Sequence, residues 1–161
     1  MSINPASTAN NNLNFVPIEG LWKMELRPMI ASVAIAQGTA LEVEVSSNIT
    51  TGELTFMGTE SAAGTNFSGI LMEPISATDA DYATSGKLKL VAIPQSPMGS
   101  KAEFKDSAGT LTATLVNSMV EFADSGTTLA SQTLGKGAII TKFISATRGE
   151  CIFSVPNTET A

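Results

Sequence analysis

The sequence predicts a mainly β fold, a sandwich or barrel built of two related β units behind an extended N-terminal arm. Three observations predict it. Short runs alternate apolar and polar residues with the period of a strand. Glycine, asparagine, aspartate, serine and proline separate these runs at short intervals. Part of the chain also echoes itself about seventy residues later (144 − 75 = 69).

The strand runs begin near Met29. Ser32-Val33-Ala34-Ile35-Ala36 is apolar and partly β-branched, and Gln37-Gly38 breaks it. Leu41-Glu42-Val43-Glu44-Val45 then alternates strictly, which predicts a half-buried strand with Leu41, Val43 and Val45 inward and both glutamates toward solvent. Further strands are expected over 53–57, 67–72, 87–93, 101–105, 110–116, 138–144 and 150–155. Turns fall at Asn48, Gly52, Ser85-Gly86, Ser107-Ala108-Gly109 and Arg148-Gly149. Helix signals are thin. Asn117 to Ala123 has a capping pattern, with Asn117 or Ser118 at the N-cap and Glu121 near N3, and Thr78 to Ala83 has room for one turn.

The echo pairs Gly69 to Thr78 with Gly137 to Thr147 and shares the tetrapeptide Ile-Ser-Ala-Thr at Ile75 and Ile144. Each copy then passes a turn into an apolar strand ending in proline, at Pro94 and Pro156. Upstream, Gly38-Thr-Ala-Leu-Glu-Val matches Gly99-Ser-Lys-Ala-Glu-Phe. Two pseudo-repeats, about 30–94 and 98–156, are therefore expected within one β domain over 30–161.

Residues 1–29 read differently. Asn10-Asn11-Asn12 and the scattered Pro5, Pro17 and Pro28 break any period, so a flexible or extended arm is expected there, mobile to about residue 14. Yet this stretch carries Phe15, Val16, Ile18, Leu21, Trp22, Met24 and Leu26, including the only tryptophan of the chain. The first six are the candidate partner-contact residues, because apolar side chains of this size are costly to leave in water. The competing expectation is that they pack back on their own domain.

Composition narrows the chemistry. The chain of 161 residues has no histidine and one cysteine, Cys151. Ser-His-Asp and Cys-His nucleophiles, histidine metal sites and tetrahedral cysteine sites all lack their residues. Cys151, beside Ile152 and Phe153, reads as a buried strand residue. Glu42 and Glu44 share a strand face and formally fit carboxylate chemistry, but the alternation assigns them to solvent. Asp79-Ala-Asp81 lacks the later positions of a calcium loop, and Gly135-Lys136-Gly137 lacks the ending and the helix of a phosphate loop. No catalytic, cofactor-binding or metal-binding residue is assigned, and a non-enzymatic role is expected.

A net charge of −6 disfavours nucleic acid and anionic membranes as partners. The first ten residues lack a basic start followed by an apolar run, and no stretch reaches the roughly 20 apolar residues of a spanning helix, so synthesis in the cytoplasm is expected. The sequons at Asn48 and Asn66 carry no weight without a secretory signal.

Gly38-Thr-Ala-Leu-Glu-Val-Glu-Val, Phe67-Ser-Gly-Ile-Leu, Gly86-Lys-Leu-Lys-Leu-Val-Ala-Ile-Pro and Gly149-Glu-Cys-Ile-Phe, behind an apolar arm, resemble the head-decoration (capsid cement) proteins of tailed bacteriophages over residues 30–156. The resemblance implies a small β-barrel or β-tulip-like module that forms a homotrimer on the capsid exterior, contacts the major capsid protein and stabilises the shell. It also implies an arm that orders on binding. A phage tail or fibre component and a carbohydrate-binding β module are the alternatives. The first lacks heptads here, and the second has few aromatics to serve as sugar platforms.

Overall fold

The computed structural model describes residues 14–44, 52–57, 67–95, 100–135 and 137–153. These form a mainly β fold containing a closed five-stranded barrel and a six-stranded sheet. The strands are β1 (Val16–Glu19), β2 (Trp22–Met29), β3 (Ala40–Val43), β4 (Leu54–Phe56), β5 (Phe67–Leu71) and β6 (Lys87–Pro94) in the first half. The second half holds β7 (Lys101–Lys105), β8 (Met119–Ala123), β9 (Thr128–Leu134), β10 (Ala138–Ser145) and β11 (Arg148–Phe153).

The barrel runs β2-β4-β3-β5-β6 and closes on itself; the sheet runs β1-β7-β11-β10-β8-β9. Placed side by side, β4-β3-β5-β6-β2 and β9-β8-β10-β11-β7 are the same topology, so the chain contains two copies of one strand order. The first copy closes through a parallel pair, Met29 opposite Leu54, and the second through an isolated parallel bridge, Asp106 opposite Leu129. The closing hydrogen bonds match as well: Ile30 N–H donates to Leu54 O and Ser107 N–H to Leu129 O. Closure removes sheet edges, which otherwise invite unwanted pairing.

The Ile-Ser-Ala-Thr echo has a structural counterpart. Thr78 N–H donates to Ser76 Oγ and Thr147 N–H to Ser145 Oγ, both at 3.3 Å, and the two hydroxyl pairs lie at 2.9 and 3.2 Å. Side-chain hydroxyls thus cap the same local turn in both copies.

The first barrel has an interior of its own, and the core of the second copy is continuous with the seam that joins the two. Met29, Ile35, Leu41, Leu54, Leu71, Ile75 and Val91 fill the first barrel. The larger cluster spans both copies. Phe67 of the first stacks on Phe153 of the second at 4.1 Å between centroids, and Phe122 stacks on Phe153 at 6.0 Å. Cys151 is fully buried in this cluster.

Several expectations need correction. The arm over 1–29 does not hold for residues 14–29: β2 pairs along its whole length with β6, Trp22 opposite Pro94 through Met29 opposite Lys87, and is a stave of the first barrel. β1 pairs with β7 of the second copy. Residues 1–13, where mobility was expected, lie outside the described residues, as do Val45, Asn48, Asn66, Lys136 and Pro156. The upstream half of the echo also fails. Gly38 leads into β3, whose counterpart is β8, whereas Ser100-Lys101-Ala102 leads into β7, the counterpart of β2.

The expected strand over 110–116 is instead a loop with a 3-10 turn at Ala113–Leu115. The expected helix over 117–123 is β8, because Asn117 takes a left-handed φ of 75° that no N-cap uses, and Met119–Ala123 alternates exposed and buried residues. β9 was not anticipated. Residues 78–83 form turns rather than helix.

Candidate docking surface

The six sequence-predicted contact residues are not brought together. Phe15 is 2% exposed and meets Phe122 and Phe153 edge-on at 5.7 and 5.4 Å, so it belongs to the seam and is closed to a partner. Its backbone amide donates to Gly38 O at 2.9 Å, pinning the N-terminal segment across the two copies. Val16 is half-buried opposite Glu103. Trp22 is half-buried edge-on to Phe153, and its indole N–H donates to Glu19 O. Ile18 and Leu21 are exposed at the β1–β2 connection, and Met24 is exposed on β2.

Met24 has neighbours the sequence reading did not join to it. In the antiparallel β2–β6 pair, residues directly opposite share a face. Leu26 lies opposite Leu90, Pro28 opposite Leu88 and Met24 opposite Ala92, all on the outer face of the first barrel. Met24, Leu26 and Leu88 are 49%, 56% and 55% exposed. The outer face of this ribbon is therefore an apolar ladder, while Lys23 and Glu25, which pair at 3.7 Å, alternate with it on the opposite face of β2.

The second copy carries charged side chains on the corresponding face. Closure at Asp106 in place of Met29 puts Lys101, Glu103 and Lys105 on the outer face of β7, and Arg148 and Glu150 join them from β11. Arg148 Nε bonds Glu103, and Lys142 Nζ meets Glu150 at 3.4 Å. One face of one repeated architecture is thus apolar in the first copy and ionic in the second. Alternation predicts that outward strand positions are polar, so Leu26 and Leu88 depart from it together. That departure was readable in Lys87-Leu88-Lys89-Leu90, where the lysines, not the leucines, point inward.

Those inward lysines do structural work at the mouth of the first barrel. Lys87 Nζ donates to Ile30 O and Tyr82 O, each at 2.8 Å, and lies 5.8 Å from the centre of the Tyr82 ring. Burial holds its ammonium below the ordinary lysine range despite nearby Asp81. Lys89 Nζ meets Asp81 at 3.1 Å, and the hydrogen bond to Asp81 holds it above that range. Together they fasten the connection between β5 and β6 onto the barrel. The second copy answers with a buried carboxylate: Asp106 accepts from Thr110 N–H at 2.8 Å and Ser131 N–H at 3.0 Å. Burial pushes the Cys151 thiol up, away from thiolate chemistry.

Two small cavities, about 140 and 190 Å³, open beside Phe15 and beside Ile35, and no ionisable side chain lines either. Among the described residues no group of three or more histidine, cysteine, aspartate or glutamate side chains is placed to hold a metal. No helix among them is long and apolar enough to cross a membrane. No protein-family model, curated protein or solved structure matches the chain.

Proposed function

We propose that this chain is a structural virion protein that attaches to the outside of a bacteriophage capsid and stabilises it, using the apolar β2–β6 face to dock on the major capsid protein. The observation that supports this reading is the contrast between the copies: the outer ladder of Met24, Leu26 and Leu88 stands where the second copy carries an ionic face. Burying one such side chain on a partner is worth roughly 1.5–3 kcal/mol, so three can carry a specific attachment. A homotrimer on the shell multiplies that weak contact by avidity without new chemistry. The decoration-protein resemblance of the sequence supplies the identity of the partner.

The test is made on particles from the culture that encodes the chain. Intact capsids are purified and their proteins quantified by mass spectrometry; the protein is then added to capsids lacking it, and capsid melting is measured. A stoichiometric protein on the particle and a higher melting temperature are expected. Its absence from particles, or unchanged melting with the protein bound, overturns the reading.

A further inference from the structure

The seam inside the chain is heterologous: the two copies meet through different surfaces. The first copy gives the outer face of its barrel, where Ala40, Ile70 and Ala92 stand side by side on β3, β5 and β6, each 0% exposed within the shared cluster. The second copy gives the end of its sheet, where Phe122 and Phe153 stack on Phe67, together with its β8–β9 turn. Gly126 of that turn accepts the Ala40 amide hydrogen at 2.8 Å, and a Cβ on Gly126 would stand 2.7 Å from Ala40 O.

Each of these surfaces has a counterpart on the other copy. The row Met119, Ile139 and Ile152 on β8, β10 and β11 repeats the row Ala40, Ile70 and Ala92 pair for pair. Ile152 is covered within the chain at 5% exposed, but Met119 is 36% exposed and Ile139 is half-buried. The hydrogen bond from Gly135 N–H to Met119 O brings Leu134, 72% exposed, beside them. On the first copy, Val43 lies opposite Leu54 as Phe122 lies opposite Leu129, and Ile93 follows Ala92 as Phe153 follows Ile152. Val43 and Ile93 are only half-buried. The β3–β4 connection carries a left-handed glycine as well, Gly52 at φ 63°, and among the described residues nothing stands within 4 Å of the place its Cβ would take.

We infer that a second copy of this chain docks head to tail: the face of Met119, Ile139 and Leu134 on one chain receives the Val43, Ile93 and Gly52 end of the next. The internal seam is the template, since one face of one architecture meets a partner in the first copy and water in the second. Burying these apolar side chains drives the contact. A heterologous contact closes into a ring when its rotation allows and otherwise runs on as a filament. In the homotrimer proposed above, first and second copies then alternate around the axis. The inference rests on the two-copy fold and not on the capsid reading, so either can fail alone. Its residues are not those of the β2–β6 ladder.

The free full chain is followed by sedimentation equilibrium over a range of concentrations, and the parent is expected to self-associate. Met119→Lys with Leu134→Lys alters one surface, and Gly52→Asn the other. The lysines replace exposed side chains and asparagine tolerates a left-handed backbone, so both variants should melt like the parent. Each alone should self-associate at least tenfold more weakly. Mixed in equal amounts they should form a heterodimer with the parent's affinity, because each keeps the surface the other has lost. A parent that is monomeric at every concentration, a variant that associates like the parent, or a mixture no better associated than its parts overturns the inference. The last of these outcomes is the mark of a face-to-face contact.

Discussion

Gly38 and Asn117 sit at equivalent points of the two copies and share a left-handed backbone, φ 82° and 75°, each donating its amide hydrogen to the neighbouring strand, at Leu71 O and Ile140 O, both 2.7 Å away. One position, repeated, demands a conformation that side chains resist. Asn117→Gly should leave stability nearly unchanged, while Asn117→Val should cost about 1–2 kcal/mol. Gly38→Ala should cost more, because its Cβ would stand 2.8 Å from Phe15 O as well as adopting the strained φ. Urea denaturation of the three variants ranks them. Equal losses at Gly38→Ala and Asn117→Gly would refute the equivalence.

Phe15 tests whether the N-terminal segment is core or arm. It lies within the aromatic seam, so Phe15→Ala should destabilise the chain by about 3–5 kcal/mol. Removing residues 14–28 should lower the melting temperature sharply, since it deletes a barrel stave. A truncated chain that melts like the parent would return this segment to the status of an arm.

Met24→Ser with Leu26→Ser should behave in the opposite way. Both side chains are exposed, so stability should stay within about 0.5 kcal/mol per substitution. The proposed attachment to capsids should weaken by tenfold or more, given roughly 1.5–3 kcal/mol per side chain. Binding assays on capsids measure the second quantity and calorimetry the first. Unimpaired attachment would remove the ladder from the docking surface.

Asp106, buried at the end of β7, accepts the backbone amides of Thr110 and of Ser131 on β9. Asp106→Ala strands both donors in a buried place and should cost on the order of 2–4 kcal/mol. Asp106→Asn keeps one acceptor oxygen and should cost less. The order of the two melting temperatures decides the point.

The Lys89–Asp81 pair gives a dependence on alkaline pH. The hydrogen bond to Asp81 raises the Lys89 pKa above the ordinary lysine value of 10.5, so folded chains hold this proton more tightly than unfolded ones. The stabilisation is fully present below 10.5 and is lost as pH rises through the raised value. Lys89→Met should therefore lower the melting temperature near neutrality, and its deficit against the parent should shrink above that pH. A deficit that grows with pH would contradict the sign.

The strand content was legible because β-branched runs and turn residues announce themselves: the expected 101–105 strand is β7 residue for residue, and those over 67–72 and 87–93 shift by one residue. The β8–β9 hairpin was not read correctly. Asn117 and Glu121 mimic a helix start, and only the left-handed backbone of Asn117 decides against it. The Asp124-Ser125-Gly126 turn, all three residues at positive φ, was the available signal for the hairpin. In the candidate site, Met24 was named but Leu26 and Leu88 were not assigned to it. Their meeting depends on β2 pairing with β6 across more than sixty residues (88 − 26 = 62), which no local pattern encodes.

That long-range pairing also sets the order of events during synthesis. Trp22 finds its place opposite Pro94, and Val16 opposite Glu103, so strands translated early wait for partners translated much later. Neither copy gains its seam until Phe153 has left the ribosome to stack on Phe67. Closing such distant pairs makes for slow folding, and meanwhile the apolar β2 segment stands unpaired. Crowded expression should therefore favour aggregation through nascent β2, and slower translation after Pro94 should relieve it.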